Sequence, residues 1–234
     1  MIVYSIGLGP GDPELLTIKA QRALTQSDVV VVPQSDITGR SVARDIVLRY
    51  IPEEKTTMYY FPMNNDRADL RRRYGELAHR IKVMAEQGKR VSYVTMGDPS
   101  IFSTSNYLTE RLVDAGLEVK HIPGISSINA ASTLLSLPLC TKGESFGVYE
   151  MPGDLQKVEE LINRHPTTVF MKVNKRLPVL IQAVRKIKPE HAYLARRLGL
   201  DGESVHNILN GEPPPDAAYL SVAIIRRAGD KGTA

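Results

Sequence analysis

A chain of 234 residues, 42% hydrophobic and 24% charged, is ordinary globular material, long enough for one large core or two smaller ones. It has no apolar run of about 18 residues to cross a membrane, and its start, MIVYSIGLGPGD, lacks the basic stretch and cleavage site of a secretory leader, so a cytoplasmic protein is expected. The single cysteine, Cys140, rules out an intrachain disulfide. With no CxxC pair and no HExxH helix, no metal site is expected, and a net charge of +4 suits an anionic partner without requiring one.

Taken in chain order, Ile2 to Leu8 is a β-branched and aromatic run that stops at glycines, as a buried strand does. Asp12 supplies a capping oxygen and Pro13 fits the first helical position. Leu15, Leu16, Ile18, Ala20, Ala23 and Leu24 give one apolar face, so a single helix is expected there. Strands over 28–32, 56–61 and 90–96 alternate with helices over 41–50 and 66–87, which predicts a mostly parallel sheet. A helix is expected from Pro99 or Ser100 to Ala115 with Gly116 as terminator, then a strand over 118–122 and a helix over 126–136. The stretch 137–143 is rich in turn residues. Strands over 146–151, 167–173, 192–198 and 219–226 and helices over 154–163 and 177–187 follow it. The fold class read from this order is α/β in two domains, residues 1–139 with a mostly parallel sheet and 140–234 with a mixed one.

Three strand-to-helix loops stand out. In Gly7-Leu8-Gly9-Pro10-Gly11-Asp12 the third glycine of a dinucleotide fingerprint is replaced by Asp12. A carboxylate there occupies the place of a pyrophosphate, and the next strand closes on Pro33 and Gln34 without an acid for a ribose, so a nicotinamide dinucleotide is disfavoured. No Walker loop is present. The second loop, Gly97-Asp98-Pro99-Ser100, follows a strand at the carboxyl edge of the sheet, where ligands of open α/β sheets gather. The third, Pro123-Gly124-Ile125-Ser126-Ser127, offers hydroxyls that either cap the next helix or reach a ligand.

Together, GLGPGDPELLTIKA at 7–20, TMGDPSIFST at 95–104, PGISSINAA at 123–131 and VFMKVNKR at 169–176 resemble the tetrapyrrole methylase family, in content and in order. Within it, GDPSIFST with PGISSINAA is similar to the branch that methylates C-20 of precorrin-2 or its cobalt-bearing counterpart. The resemblance implies a homodimer of two-domain α/β chains with S-adenosylmethionine in the cleft between domains and an anionic tetrapyrrole as substrate. Matched by motif position, the cofactor contacts it implies are Pro10, Gly97, Asp98, Ile101, Phe102, Ser126, Ser127, Met171 and Lys172, with Leu198 and Ala223 on less specific stretches. Asp98 is the candidate orienting residue. The rim carboxylates of such a substrate call for cations, for which Arg67, Lys175, Arg176 and Arg197 are candidates, with Arg71 and Arg196 beside them.

Methyl transfer from a sulfonium needs alignment rather than a nucleophilic triad, and the five histidines are scattered through the chain. Asp98, Tyr149 and Glu150 are candidates to accept the proton lost from the methylated carbon, and Met63 to Arg67 is a candidate lid. The rivals are a methylase of the same family acting at another ring position, for example on uroporphyrinogen III, and a basic nucleic-acid binder. Aromatics at 6% without tryptophan give a nucleic-acid binder no stacking surface, so no nucleic-acid partner is expected.

Overall fold

A computed structural model describes residues 1–34, 41–61, 66–214 and 220–228, the side chain of Arg67 excepted. The chain divides into two compact units, Met1–Ser126 and Ser127–Ala234.

The first unit holds strands β1 (Ile2–Gly7), β2 (Val29–Gln34), β3 (Thr56–Tyr60), β4 (Val91–Thr95) and β5 (Glu118–Ile122) and helices α1 (Ile18–Gln26), α2 (Val42–Val47), α3 (Arg67–Glu86) and α4 (Ser105–Asp114). All its strand pairings are parallel, in the order β3-β2-β4-β1-β5. Alternate residues of β1 explain why both faces are covered: Val3 packs with α3 and α4, whereas Ile6 packs with α1 and α2.

Two expected helices take a different form. Asp12 accepts the Glu14 N–H at 2.8 Å and caps only a 3-10 turn, Pro13–Leu15. Thr17 then starts α1 by accepting the Ala20 N–H at 3.1 Å. The helix expected from residue 99 or 100 begins at Ser105, because Asp98 captures the Ser100 amide and Phe102 turns back at φ +46.

The second unit holds α5 (Ser127–Leu134), β6 (Phe146–Glu150), α6 (Leu155–Arg164), β7 (Thr167–Met171), α7 (Leu177–Ile187), β8 (His191–Arg196), β9 (Ser204–Asn207) and β10 (Ser221–Arg226). Its sheet runs β6-β7-β10-β8-β9, with β10 antiparallel to β7 and β8 and only the β6–β7 pair parallel. Leu155, Val158, Leu161 and Ile162 of α6 and Leu177, Leu180, Ile181 and Val184 of α7 form helical stripes that bury Phe170, Leu194 and Ala223 of the sheet. The sequence reading ended its first domain at residue 139. In the structure α5 packs on β10, which sets it with the second unit. The short strand β9 was not anticipated.

Candidate active site

In the first unit, β1 and β4 are neighbours whose following helices leave to opposite faces, α1 with α2 on one and α4 with α3 on the other. Such a divergence leaves a crevice at the carboxyl ends of the two strands. The loops bordering it are the first two glycine motifs.

They are fastened to one another. Gly9 and Gly97 exchange backbone hydrogen bonds, Gly97 N–H to Gly9 O at 2.7 Å and Gly9 N–H to Gly97 O at 3.2 Å, and the Leu8 N–H donates to Thr95 O at 2.9 Å. The third loop is drawn in by Asp98, whose Oδ2 accepts the Gly124 N–H at 3.0 Å. Its Oδ1 accepts the Ser100 N–H at 2.8 Å and also the Ser100 hydroxyl. Burial pushes the Asp98 carboxyl up, but the Ser100 hydroxyl, the Ser100 and Gly124 amides and nearby His121 outweigh it and hold the group below its ordinary value. Close packing makes two glycines obligatory. A Cβ on Gly124 would lie 2.2 Å from Gly97 O, and one on Gly7 would lie 2.6 Å from Gly124 N. A Cβ on Gly97, by contrast, would meet nothing within 4 Å, so the crevice is open above that residue.

The rest of the second loop is also tied. Thr95 Oγ1 pairs with Ser103 Oγ at 2.9 Å, and Ser103 Oγ with Ser105 Oγ at 2.7 Å. Phe102, 40% exposed, is held at φ +46, a conformation a bulky residue rarely adopts. Pro10, Gly97, Asp98, Ile101 and Phe102 therefore lie in loops knit around one crevice, with Ser126 at the end of the third loop and Ser127 as the first residue of α5.

In the second unit the antiparallel insertion of β10 brings the ends of β7 and β8 and the start of β10 to one sheet edge, where Val222 pairs with Met171 and Ser221 with Arg196. Among the described residues seven non-glycines have positive φ, and four of them, Lys172 (+55), Asn174 (+39), Arg197 (+50) and Leu220 (+50), sit on this edge. Such strain concentrates where a backbone is held for a purpose. The edge is also cationic. Lys172 lies 3.9 Å from Glu150, Arg197 donates from Nε to Asp201 O at 2.6 Å, the Arg176 guanidinium donates to Met151 O, and Lys175 is exposed.

The remaining candidates are scattered. Ala223 and Leu198 are buried, Ala223 inside the core under α6 and α7. The Tyr149 hydroxyl is paired with His165 Nε2 at 2.9 Å, its ring against Phe170, and Gly147 makes room, since a Cβ there would lie 2.5 Å from the His165 ring. Glu150 is exposed at the cationic edge. The Arg67 side chain and most of the lid segment, residues 63–65, lie outside the described residues. A shallow apolar groove of about 380 Å³ between β3 and α3, lined by Val31, Tyr59, Leu77, Val83 and Met84, contains none of the motif residues. No helix of the described residues is long and apolar enough to cross a membrane.

The four motifs are those of a known class. The model of the Tetrapyrrole (Corrin/Porphyrin) Methylases matches residues 2–212, and the chain belongs to that family; it is a methyltransferase. The chain is 33% identical over 229 residues to the "Probable cobalt-precorrin-2 C(20)-methyltransferase" of Methanocaldococcus jannaschii, a match covering 96% of each chain. It is 28% identical over 234 residues to the "Cobalt-precorrin-2 C(20)-methyltransferase" of Salmonella typhimurium, again over 96% of both. Among solved structures, cobalt precorrin-4 methyltransferase CbiF superposes with a TM-score of 0.73 at 17% identity, covering 96% of this chain and 94% of that one. The uroporphyrin-III C-methyl transferase of Thermus thermophilus complexed with S-adenosyl homocysteine gives 0.64 at 21%, covering 97% of both. At these identities the structures speak for the fold, which is the same.

Proposed function

We propose that this protein transfers a methyl group from S-adenosylmethionine to C-20 of precorrin-2 or its cobalt-bearing form, a step of cobalamin biosynthesis. The observation that carries the reading is the end-to-end likeness to proteins named for that reaction, 33% identity across 96% of both chains. The open space over Gly97, beside the Asp98 carboxylate, supports a ligand in this crevice.

When bound, the donor supplies an electrophilic methyl group, and the residues that would hold it are Pro10, Gly97, Asp98, Ile101, Phe102, Ser126 and Ser127. Of the contacts expected on the second unit, Met171 and Lys172 stand at its sheet edge, and Leu198 and Ala223 are buried. Alignment is the chief contribution of the chain, and orientation of this kind is worth on the order of 7 to 11 kcal/mol. Asp98 acts as a positioning residue, since Oδ1 is taken up by Ser100 within the second loop and Oδ2 ties that loop to Gly124 of the third. Arg67, Lys175, Arg176 and Arg197 pair with the carboxylates of an anionic tetrapyrrole. The proton released from the methylated carbon passes to water or to Glu150, the exposed member of the three groups considered for it. The enzyme works in the cytoplasm as a homodimer.

The test is anaerobic incubation of the protein and methyl-labelled S-adenosylmethionine with precorrin-2 and, separately, with its cobalt complex, the position of the label being read by NMR. Label at C-20 supports the reading, and the faster ring names the route. Label at another carbon, or on uroporphyrinogen III alone, replaces it with a different specificity of the same family.

A further inference from the structure

Beside the second loop the first unit carries a row of four aromatic rings that the motifs do not account for. Tyr59 and Phe61 lie 5.0 Å apart between centroids, Phe61 and Tyr74 4.6 Å, and Tyr74 and Tyr107 5.7 Å. The row starts on edge strand β3, crosses α3 and ends in the first turn of α4, three residues past the end of TMGDPSIFST at Thr104. Thr104, inside that motif, hydrogen-bonds the Tyr74 phenol, which burial pushes above its ordinary value. Tyr59 and Tyr74 are buried, whereas Tyr107 is 58% exposed. A buried stack ending in an exposed ring differs from core filling: the inner rings fix the outer one, so a flat partner meets a surface that has little side-chain freedom left to lose.

The neighbouring charges sort themselves. In the run Arg71-Arg72-Arg73, Arg72 is engaged by Asp69 and Glu76, and Arg73 by Asp69 at 2.9 Å, with its guanidinium 5.9 Å from the Tyr60 ring. Arg71 makes no ion pair among the described residues and is exposed. It precedes Tyr74 by three positions on α3 and so shares its side of the helix, nearer the helix N-terminus.

We propose that Tyr107, backed by Tyr74 and Phe61, is the stacking surface for the macrocycle, and that Arg71 receives one of its rim carboxylates. This inference rests on the tetrapyrrole reading above. An unsaturated ring system bordered by carboxylates is the ligand chemistry that asks for a fixed aromatic face and an exposed guanidinium on the same side of the neighbouring helix.

The test is an anaerobic absorbance titration of precorrin-2 into the wild type, Y107A, Y107F and R71Q, with S-adenosylmethionine affinity measured alongside by calorimetry. Y107A should bind the ring about 10-fold more weakly, Y107F within about 2-fold of the wild type, and R71Q about 5-fold more weakly, as the loss of one stacked ring or one ion pair implies. In turnover the losses fall on KM, and donor affinity and melting temperature stay as in the wild type, because both side chains are exposed. Wild-type turnover with an unchanged Y107A titration would overturn the surface and leave the functional reading standing. A wild type that binds the donor but neither form of the ring would overturn both.

Discussion

The two units arrange the loop ends of their sheets in opposite ways. In the first, polar groups are spent inward: Gly9 on Gly97, and Asp98 on Ser100 and Gly124. In the second, the sheet edge gathers cations, several of them engaged by neighbouring carbonyls or Glu150, on backbone held in left-handed conformations at Lys172, Asn174, Arg197 and Leu220. The first edge is a frame of loops bonded to one another around the Asp98 carboxylate. The second is a margin rich in cationic side chains. The proposed function, with a donor to be aligned and an anion to be attracted, asks for these two different things.

The comparison breaks most sharply at the closed glycines. Gly124→Ala puts a methyl group 2.2 Å from Gly97 O, a clash with backbone that cannot step aside. We expect a loss of about 3 kcal/mol or more in urea unfolding, seen in the first unit. Next comes the carboxylate that joins the loops. Asp98→Ala should weaken donor binding by about 10-fold or more, because it leaves loop amides unpaired. Since the folded pKa of Asp98 lies below its ordinary value, the tie is fully present above the usual carboxylate range and is lost as pH falls through the lowered value. Asp98→Asn should remove that acid dependence, which calorimetry at a series of pH values would show.

The second unit has its own acid-sensitive clamp. Arg226 holds both Glu144 oxygens at 2.8 Å and, with the Thr141 amide, lowers the Glu144 carboxyl to about 2 from 4.5. Its stabilisation is complete above pH 4.5 and fades as pH falls towards 2. Denaturant midpoints of the wild type should therefore drop more steeply over that interval than those of Glu144→Gln. The smallest effect sharpens the comparison. Lys188→Gly, at the left-handed C-cap of α7, should add about 1 kcal/mol of stability without touching activity. Lys172→Gly relieves similar strain at the ligand edge and should gain stability while losing activity. Paired melting and turnover measurements separate the two.

Much of this was legible in the residues. The strands β1, β2, β4 and β7 announce themselves as apolar, β-branched runs because both of their faces are buried, and the glycine loops fall where strands meet helices. Composition could not show that Asp98 would bond across to Gly124, a contact between residues 26 positions apart, or that it would capture the Ser100 amide and so delay α4 to Ser105. Nor does a pattern of alternation show β10 entering between β7 and β8, and that insertion alone gathers Met171, Arg196 and Ser221 on one edge. β9, four partly exposed residues reading SVHN, carries too weak a period to be seen. The signal for the aromatic row was present in Phe61, Tyr74 and Tyr107, but only packing shows that these rings touch.

On the proposed function, the first unit holds the donor in the open space over Gly97, between glycines that are closed. Calorimetric titration of S-adenosylmethionine into Gly97→Ala tests it most directly, because the added methyl meets nothing within 4 Å in the protein itself. At φ +68 the variant gives up about 1 to 2 kcal/mol of stability, yet it should fold and bind the donor about 10-fold or more weakly than the wild type. A folded variant with wild-type affinity would place the donor elsewhere and contradict the account.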